Sequence, residues 1–477
     1  MSTGSNPNSP FTVIIVGGSI AGLTLSHCLN AAGINNIVLE KHVEIAAQVG
    51  ASIGVLPNGG RILDQLGIFH RIEKLIEPLT SAHIAYPDGF TLRSEYPVTV
   101  GERFGRPMSF LTRQELIQVL HDSFEDTSHI HVNKSVSRVQ QGKDSVRVTT
   151  EDGTSYEGDL VVGADGVHSK VRAEMWSFHN SPELARVALR EHKALTVEYS
   201  CIYGISSCIP GLEIGEQVAV FADGYTIMTY QGLGGRVYWF VIEKLDRKYT
   251  YPHIPRFSDP DAVRNCERLG SVWLRNSVHF RDVWRHRETF AMTALEEAVL
   301  RPWSDGRIVC IGDSIHKMTP NLGQGANLAI EDTAELANAL HAMLTSQARR
   351  TRNPSAQTKV SKPSTPSVTS ALASFETKHL SRATHIVNMS ALMSRLHARQ
   401  GLFYTILGRY IPPLFPSLPA ELISAVVYGA PVLEFLPVPP REATGWVLLD
   451  RLRVIVLVVL GVIACLVSGL AVLRFVR

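Results

Sequence analysis

The chain has 477 residues, with 46 basic against 44 acidic side chains and six cysteines that form no C-x-x-C pair. A chain of this length is expected to form two or three domains, and its nearly balanced charge argues against nucleic acid as a main partner. The cysteine spacing indicates neither a metal site nor a disulfide framework, which is typical of a reducing compartment. Residues 1–10 are polar, show no signal peptide and are expected to be disordered.

A segment near the N-terminus predicts a dinucleotide site. The β-branched run 12–16 predicts a buried strand, which turns through small residues into an apolar helix. Small residues at such a turn let backbone N–H groups approach a pyrophosphate, which then faces the positive end of the helix. A second short strand ends in an acidic residue of the kind that binds a ribose hydroxyl, although a structural βαβ unit without ligand remains the alternative. The predicted contacts are Gly17, Gly18, Gly22 and Glu40, with Ser19 in place of the usual second glycine.

Three further segments carry polar residues at places where strands end or helices begin. The first is 159–172, which contains Asp165 and Gly166 directly after the buried strand 160–162. The second is 312–327, which follows a predicted last strand and runs into a helix over about 325–344. The third is 111–116, a helix start with Arg113 on it.

These segments, in this order, resemble the flavin-dependent monooxygenases of the aromatic-hydroxylase type, the single-component group A enzymes, over about residues 11–400. The resemblance implies an α/β fold: a Rossmann-like FAD-binding domain of the glutathione-reductase type with an inserted β-sheet substrate domain. It also implies FAD as the bound cofactor and NADPH as a transient one, because no second G-x-G-x-x-G unit is present. No metal is expected.

The resemblance assigns roles to particular residues. Asp313 and Ala326 are expected to contact FAD, Arg113 to pair with its phosphates or ribityl chain, and the helix start near Gly323 and Gly325 to stabilise negative charge on the reduced ring. Gly54 is expected to let its loop pass close to the flavin, and Asp165 with Gly166 to serve both FAD and NADPH. The alternatives are that Asp165 caps the next helix and that His316 is a packing residue rather than a catalyst.

The expected organisation is a flavin domain interrupted by a sheet domain and followed by a membrane-associated region. Residues 200–205, 217–221, 226–230 and 236–242 alternate polar and apolar, which predicts antiparallel strands with one buried face. The predicted segments are 11–180 and 299–344 for the FAD-binding domain, 181–298 for the substrate domain, 345–370 for a mobile linker, 371–445 for a helical membrane-proximal region and 446–477 for a transmembrane anchor.

The anchor prediction depends on residues 454–473, which contain no charged side chain. Twenty residues at about 1.5 Å each cover roughly 30 Å, one bilayer core, although a buried core helix is the alternative. A second apolar region, 402–436, is broken by prolines and predicts a pair of membrane-surface helices. We expect a single C-terminal span in the endoplasmic reticulum membrane, with the flavin domain in the cytosol.

A narrower resemblance, carried by the segments 13–29, 50–68 and 312–327 together with the apolar tail, is to fungal membrane-bound FAD epoxidases of meroterpenoid and indole-diterpene biosynthesis. It implies epoxidation of an alkene in an apolar prenylated substrate, with O2 as co-substrate and a downstream terpene cyclase as a possible consumer of the product. Tyr225 is the candidate proton donor because similar enzymes carry a tyrosine about there, and Tyr203 stands where many relatives have an arginine. Packing of Tyr225 in the sheet is the alternative.

Three other functions are consistent with parts of this pattern. A prenyl double-bond reductase would share the fold and use no O2. An aromatic hydroxylase would share the motifs but is usually soluble, so that the apolar tail argues against it. A non-enzymatic membrane flavoprotein is disfavoured by the complete set of cofactor motifs.

Overall fold

A computed structural model describes residues 10–47, 50, 52–177, 193–351, 362–437, 441 and 443–446. The α-helices in that part of the chain are α1 (Ile20–Ala31), α2 (Pro57–Gln65), α3 (Phe69–Ile72), α4 (Tyr96–Phe104), α5 (Arg113–Asp122), α6 (Lys170–Ser177), α7 (Asp259–Arg268), α8 (Phe280–Arg285), α9 (Gly325–Thr351), α10 (Thr365–His397), α11 (Gly401–Leu414) and α12 (Leu418–Val427). Short 3-10 turns occupy Leu233–Gly235, Gly312–Ser314, Pro320–Leu322 and Thr444–Trp446.

The strands, numbered along the chain, are β1 (Thr12–Val16), β2 (Asn35–Leu39), β3 (Ser52–Val55), β4 (Glu77–Pro78), β5 (Ser81–Ala85), β6 (Thr91–Ser94), β7 (Ser109–Thr112), β8 (Ile130–His131), β9 (Val136–Gln141), β10 (Val146–Thr150), β11 (Ser155–Gly158), β12 (Leu160–Gly163), β13 (Thr196–Ser206), β14 (Glu216–Ala222), β15 (Tyr225–Gln231), β16 (Val237–Thr250), β17 (Trp273–Arg275), β18 (Val278–His279), β19 (Arg287–Val299), β20 (Ser304–Asp305), β21 (Ile308–Cys310) and β22 (His316–Lys317).

A mainly parallel six-stranded sheet forms the first layer, in the order β20-β21-β12-β1-β2-β8. Its central strand β1 pairs in parallel with β2 and β12, and Val13, Ile14 and Ile15 are fully buried. A strand covered on both faces needs a continuous apolar run, which is what this segment supplies. The carboxyl ends of β1, β2 and β12 therefore meet at one edge of the sheet, where α/β folds bind their ligands. The predicted Rossmann-like layer is confirmed.

The second layer is an eight-stranded sheet with the order β22-β19-β13-β16-β15-β14-β5-β6. The four strands predicted from alternation are present as β13 to β16, but two details differ. Strands β5 and β6 join this sheet, so the substrate layer also uses residues inside the predicted first flavin segment 11–180. Both faces of β14 are buried, because one packs on the flavin side and the other under α7 and α8.

The C-terminal helices differ from the predicted linker. Helix α9 continues to Thr351 and α10 begins at Thr365, so the predicted loop 345–370 is corrected at both ends. Helix α10 packs its residues Leu372, Phe375 and Ile386 into the core of the flavin layer. The apolar stripe of α10 is the physical reason for its order, since burial of each such side chain stabilises the fold by about 1.5–3 kcal/mol.

Helices α11 and α12 cover the region predicted to contain two membrane-surface helices. In the described part of the chain no single helix is long and apolar enough to cross a membrane, and only the pair α11–α12, bent by 105°, meets that test when taken together. Helix α12 is buried against α4, where Glu421 pairs with Arg103 at 2.5 Å. The prediction of a surface helix is thus corrected for α12. The predicted span 454–473 lies outside the described residues.

Candidate active site

A cavity of about 580 Å³ lies between the carboxyl edge of the six-stranded sheet and the eight-stranded sheet. Its volume falls within the range of about 300–1,000 Å³ that is usual for ligand pockets. The predicted cofactor residues that line it are Gly17, Glu40, Gly54, Arg113, Asp165, Gly166, Asp313, Gly323, Gly325 and Ala326. Gly18 lines a small hollow beside it. Segments far apart in the sequence thus converge on one site.

The glycines of the first turn are required by close backbone approach. A Cβ on Gly22 would lie 1.8 Å from the carbonyl oxygen of Gly17, so α1 can start this near β1 only with glycine there. Gly17 has φ +110°, a conformation that favours glycine, and a Cβ there would lie 2.4 Å from the carbonyl oxygen of Ala164. Gly22 lines neither hollow, and its role is to let the helix dock rather than to contact a ligand.

Glu40 and Arg113 form the charged wall of the cavity beside this turn. The Glu40 carboxylate accepts the N–H of Gly18 at 2.6 Å and that of His42 at 2.9 Å, which fixes it at the end of β2. The Arg113 guanidinium donates to the Ser19 hydroxyl at 2.7 Å. Burial lowers the pKa of Arg113, and the carboxylates of Glu40 and Asp313 oppose that shift. A half-buried cation between two carboxylates and a helix N-terminus can hold the phosphates of a dinucleotide.

Asp165 caps the following helix, as one of the two sequence interpretations expected. Its carboxylate accepts the Ser169 hydroxyl at 2.5 Å and the backbone N–H groups of Lys170 and Val171 at 2.7 and 3.1 Å. Burial raises the pKa of Asp165, and the hydrogen bond from Ser169 opposes that rise. Asp165 also lines the cavity, so that a contact with a cofactor is compatible with the cap.

Asp313 stands at the edge of the cavity and forms an ion pair with Lys317. Burial alone would lower the pKa of Lys317, but the Asp313 carboxylate outweighs it and raises that pKa. The Asp313 side chain keeps 39% exposure, so its oxygens remain accessible to a hydroxyl of a ligand. Sequence analysis quoted Lys317 within its motif without a role, and no helical spacing marks the pair, because Asp313 lies in a 3-10 turn and Lys317 in β22.

The start of α9 opens toward the cavity. A Cβ placed on Gly325 or on Gly166 would meet no atom within 4 Å, so both glycines border free space. Asn327 holds this turn in place: its amide donates to the carbonyls of Gly54 and Gly323, each at 2.8 Å. The free N–H groups of the first turn and the helix dipole favour an anion or an electron-rich ring at this position.

Below this turn, His316 is fully buried and makes an ion pair. Its Nε2 lies 2.8 Å from the Asp332 carboxylate, whose second oxygen lies 2.8 Å from Nε2 of His379. The same carboxylate accepts the N–H of Gly312 at 2.6 Å. His316 does not line the cavity. Its contacts therefore agree with the packing and hydrogen-bonding role that the sequence favoured.

The wall opposite the flavin layer is aromatic. Phe110 of β7 stacks on Tyr230 of β15 with ring centroids 3.8 Å apart, and Phe240 of β16 meets Tyr230 edge to face at 6.1 Å. All three line the cavity. Sequence analysis did not single them out, because three different strands supply them and only strand register places them together.

Tyr225 does not reach this wall, which corrects its assignment as proton donor. Successive residues of a strand face opposite sides of a sheet, and Tyr225 lies five positions before Tyr230. It packs with the cluster on the far face, under α7 and α8. Tyr203, by contrast, pairs across the sheet with Phe240 and therefore shares its face. Burial raises the pKa of Tyr203, and the positive charges of Arg113 and Lys317 oppose that rise.

Residues at this cavity fit a flavin adenine dinucleotide. The glycine turn, Glu40 and Arg113 match a pyrophosphate with its ribose. Free space in front of Gly325 and Gly166 leaves room for a planar ring at the positive end of α9. The fold and the site together define a flavoenzyme with a separate substrate sheet.

Comparison with known proteins agrees with this class. Residues 10–187 and 269–365 match the family described as FAD binding domain. The chain is 49% identical to the FAD-dependent monooxygenase atmM of Aspergillus flavus, over 92% of this chain and 90% of that protein. It is 48% identical to the FAD-dependent monooxygenase nodM of Hypoxylon pulicicidum, over 91% of each chain. Klebsiella pneumoniae HpxO, solved with FAD and uric acid, shares the fold with a TM-score of 0.66 at 20% identity, covering 88% of this chain and 98% of its own.

The chain therefore belongs to the FAD binding domain family and, within it, to the FAD-dependent monooxygenases of fungal secondary metabolism. The resemblance drawn from the motifs is confirmed at this level, and the non-enzymatic alternative is excluded.

Proposed function

We propose that this monooxygenase epoxidises an alkene of a prenylated, largely apolar intermediate and that it uses NADPH as the reductant. The observation that carries the proposal is the aromatic wall of Phe110, Tyr230 and Phe240 on the substrate side of the cavity. An alkene is a neutral nucleophile and needs an apolar wall rather than a base. A phenol would instead need a polar partner to hold and deprotonate its hydroxyl.

Bound FAD would supply the redox chemistry, which consists of reduction of the flavin by NADPH and transfer of one atom of O2 to the alkene. The overall reaction balances as alkene, O2, NADPH and a proton giving epoxide, NADP⁺ and water. The chain itself orients the reactants and excludes water. Glu40, Arg113 and Asp313 would hold the dinucleotide, and the start of α9 would stabilise negative charge on the reduced ring.

For NADPH we propose transient binding at the open side of the same cavity. Lys134, His168 and Lys170 line the cavity, and His168 and Lys170 follow Asp165 and Gly166 closely in the chain. Three basic side chains around one opening suit the phosphates of a nicotinamide dinucleotide. This placement agrees with a chain in which sequence analysis found a single dinucleotide fingerprint.

We further propose that residues 454–473 anchor the enzyme in the endoplasmic reticulum membrane with the flavin domain in the cytosol. The apolar run is long enough for one span, and a prenylated substrate would partition into the same membrane. Asn133 and Asn388 each begin a glycosylation sequon and both are exposed. They should carry no glycan in this topology, so a mobility shift on endoglycosidase treatment of the full chain would contradict it.

The decisive experiment uses the metabolite that accumulates in a strain lacking this protein. We expect the purified flavoprotein, supplied with that metabolite, NADPH and ¹⁸O2, to form an epoxide that contains one labelled oxygen atom. A terpene cyclase acting next would open that epoxide, so the purified flavoprotein must be free of cyclase activity. A product that gains two hydrogens and no label would establish the reductase instead, and a labelled phenol would establish the aromatic hydroxylase.

A further inference from the structure

Helix α11 presents an apolar face that no part of the described chain covers. Six of the thirteen large apolar side chains that are exposed in the described part of the chain fall between residues 402 and 415. Leu402 is 76% exposed and Leu414 70%. At about 100° per residue, positions 402, 403, 406, 410 and 414 fall within an arc of about 120°. They form one continuous stripe, defined here as the α11 stripe: Leu402, Phe403, Ile406, Tyr410 and Leu414.

The opposite face of α11 is fixed to the protein. The carbonyl of Gly408 accepts the Tyr86 hydroxyl at 2.8 Å, and Gly408 packs against Leu396 of α10. At the edge of the stripe, about 20° around the helix axis from Leu402, Arg409 pairs with Asp88 at 2.9 Å and its guanidinium lies 3.6 Å from the centre of the Phe90 ring. The stripe is therefore held outward by a docked helix rather than exposed by a loose segment.

This helix and its neighbour do not form a broken membrane span. Helix α12 leaves α11 at 105° and is buried, and the carbonyls of Val426 and Tyr428 accept hydrogen bonds from Arg382. The 14 residues of α11 cover about 21 Å, less than the roughly 30 Å of a bilayer core. An apolar stripe on a short docked helix suits the surface of a bilayer, with the helix axis in the membrane plane.

The course of the chain also favours a bilayer. The last described residue, Trp446, packs against Phe104 of α4, the helix that also holds α12. Only eight residue steps separate it from 454, the first residue of the uncharged run, a distance of at most about 29 Å. If that run enters a membrane, the membrane lies close to this side of the molecule. Helix α11 contains no acidic residue that anionic headgroups would repel.

We propose that α11 is an interfacial helix whose stripe lies in the headgroup and acyl boundary of the bilayer. This rests in part on the proposed C-terminal anchor. The α10–α11 junction packs on the face of the eight-stranded sheet that carries the aromatic wall: His397 stacks on Phe221 at 4.0 Å, and the Tyr199 hydroxyl donates to Gln400 at 2.6 Å. The docked helix would therefore turn the substrate side of the enzyme toward the lipid that dissolves an apolar substrate.

The test places one environment-sensitive fluorophore on the full chain in phosphatidylcholine vesicles. Cys208 and Cys465 are first replaced by Ser and Ala, since Cys208 is the exposed cysteine of the described residues and Cys465 lies in the apolar run. The label is attached at Ile406→Cys on the stripe or, as the matched control, at Ile214→Cys. Ile214 is also an exposed isoleucine, 53% exposed against 42% for Ile406, and it lies at the opposite end of the strand pair β5–β14.

We expect the vesicle-bound chain to shield the label at 406 from iodide about threefold or more relative to the label at 214, with a blue-shifted emission. Both variants should retain wild-type flavin content, which shows that they are folded. If the chains float with the vesicles but iodide quenches the labels at 406 and 214 equally, the proposal of an interfacial helix is wrong and the proposal of a C-terminal anchor is retained. Chains that do not float would overturn both. Shielding at 406 without vesicles that grows with protein concentration would assign the stripe to a second copy of the chain.

Discussion

The cofactor half and the substrate half of the cavity are built in different ways. The cofactor half consists of glycines, an arginine and three carboxylates (Glu40, Asp165 and Asp313), each placed where a strand ends or a helix begins. The substrate half consists of ring side chains from three strands, the neighbouring β15 and β16 and the distant β7. Local backbone geometry therefore fixes the first half, whereas strand register fixes the second. Substitutions in the first half should remove the flavin, and substitutions in the second should change turnover with the flavin in place.

The largest effect is expected for Gly22→Ala. The new Cβ would lie 1.8 Å from the Gly17 carbonyl oxygen, so α1 must move away from the turn that we propose holds the pyrophosphate. We expect the affinity for FAD to fall about a hundredfold, equivalent to about 2.7 kcal/mol of binding free energy. Less flavin should then be bound per polypeptide. Flavin absorbance of the purified protein measures this. Gly101→Ala is the matched control, because its nearest neighbour would lie at 3.5 Å. Equal flavin content in the two variants would contradict the close-approach argument.

Asp313→Ala should weaken FAD binding about tenfold, the scale expected for loss of one charged hydrogen bond. The variant should purify nearly colourless and poorly active. Asp246→Ala, which removes an exposed carboxylate bonded to Tyr249, should keep its flavin. If Asp313→Ala retains full flavin absorbance, the assignment of Asp313 to the cofactor fails.

Tyr230→Leu tests the substrate half. Removal of this ring opens the aromatic wall next to Phe110 and Phe240, so product formation should fall about fivefold, equivalent to about 1 kcal/mol in activation free energy, while flavin content stays constant. Tyr225→Phe should leave turnover unchanged, because Tyr225 lies on the far face of the sheet. Turnover is measured with the metabolite that accumulates in the deletion strain. A larger loss in Tyr225→Phe than in Tyr230→Leu would reverse the assignment of the two faces.

The smallest effect concerns the buried ion pair beneath the cofactor turn. Burial alone would lower the pKa of His316, but the Asp332 carboxylate outweighs it and raises that pKa. A group whose pKa is raised on folding contributes stability that is complete below its ordinary value of about 6.5 and is lost as the pH rises through the raised value. His316→Gln lacks this contribution. The difference in Tm between wild type and variant should therefore be about 2 °C or more at pH about 6 and should narrow toward pH about 9.

The difference in Tm is measured by thermal unfolding at a series of pH values between about 6 and about 9, with tryptophan fluorescence as the signal. His129→Gln is a useful control because burial lowers the pKa of His129, so its pH dependence has the opposite sign. A wild-type-to-variant difference at position 316 that grows with pH would show that the ion pair does not stabilise the fold in the expected way.

The class of enzyme and most of the cofactor half can be predicted from the sequence alone. A glycine turn, Glu40 at the end of β2 and Asp313 after β21 can be recognised locally, because the backbone conformation that each needs depends on its own neighbours. The alternating strands β13 to β16 were also predicted correctly. Asp165 was predicted both as a cap and as a cofactor contact, and the structure shows the cap.

The faces of those strands that meet the cavity depend on long-range packing. Their spacing in the sequence places Tyr225 and Tyr230 on opposite faces of one strand. Which of these two faces meets the cavity depends on how the eight-stranded sheet packs on the other layer. Long-range packing also explains three other features. These are the addition of β5 and β6 to that sheet, the burial of α12 and the exposure of α11. Helices α11 and α12 are both apolar, yet α12 is buried in the core and α11 lies at the surface. Long-range packing selects the place of each helix, because the local apolar pattern does not distinguish them.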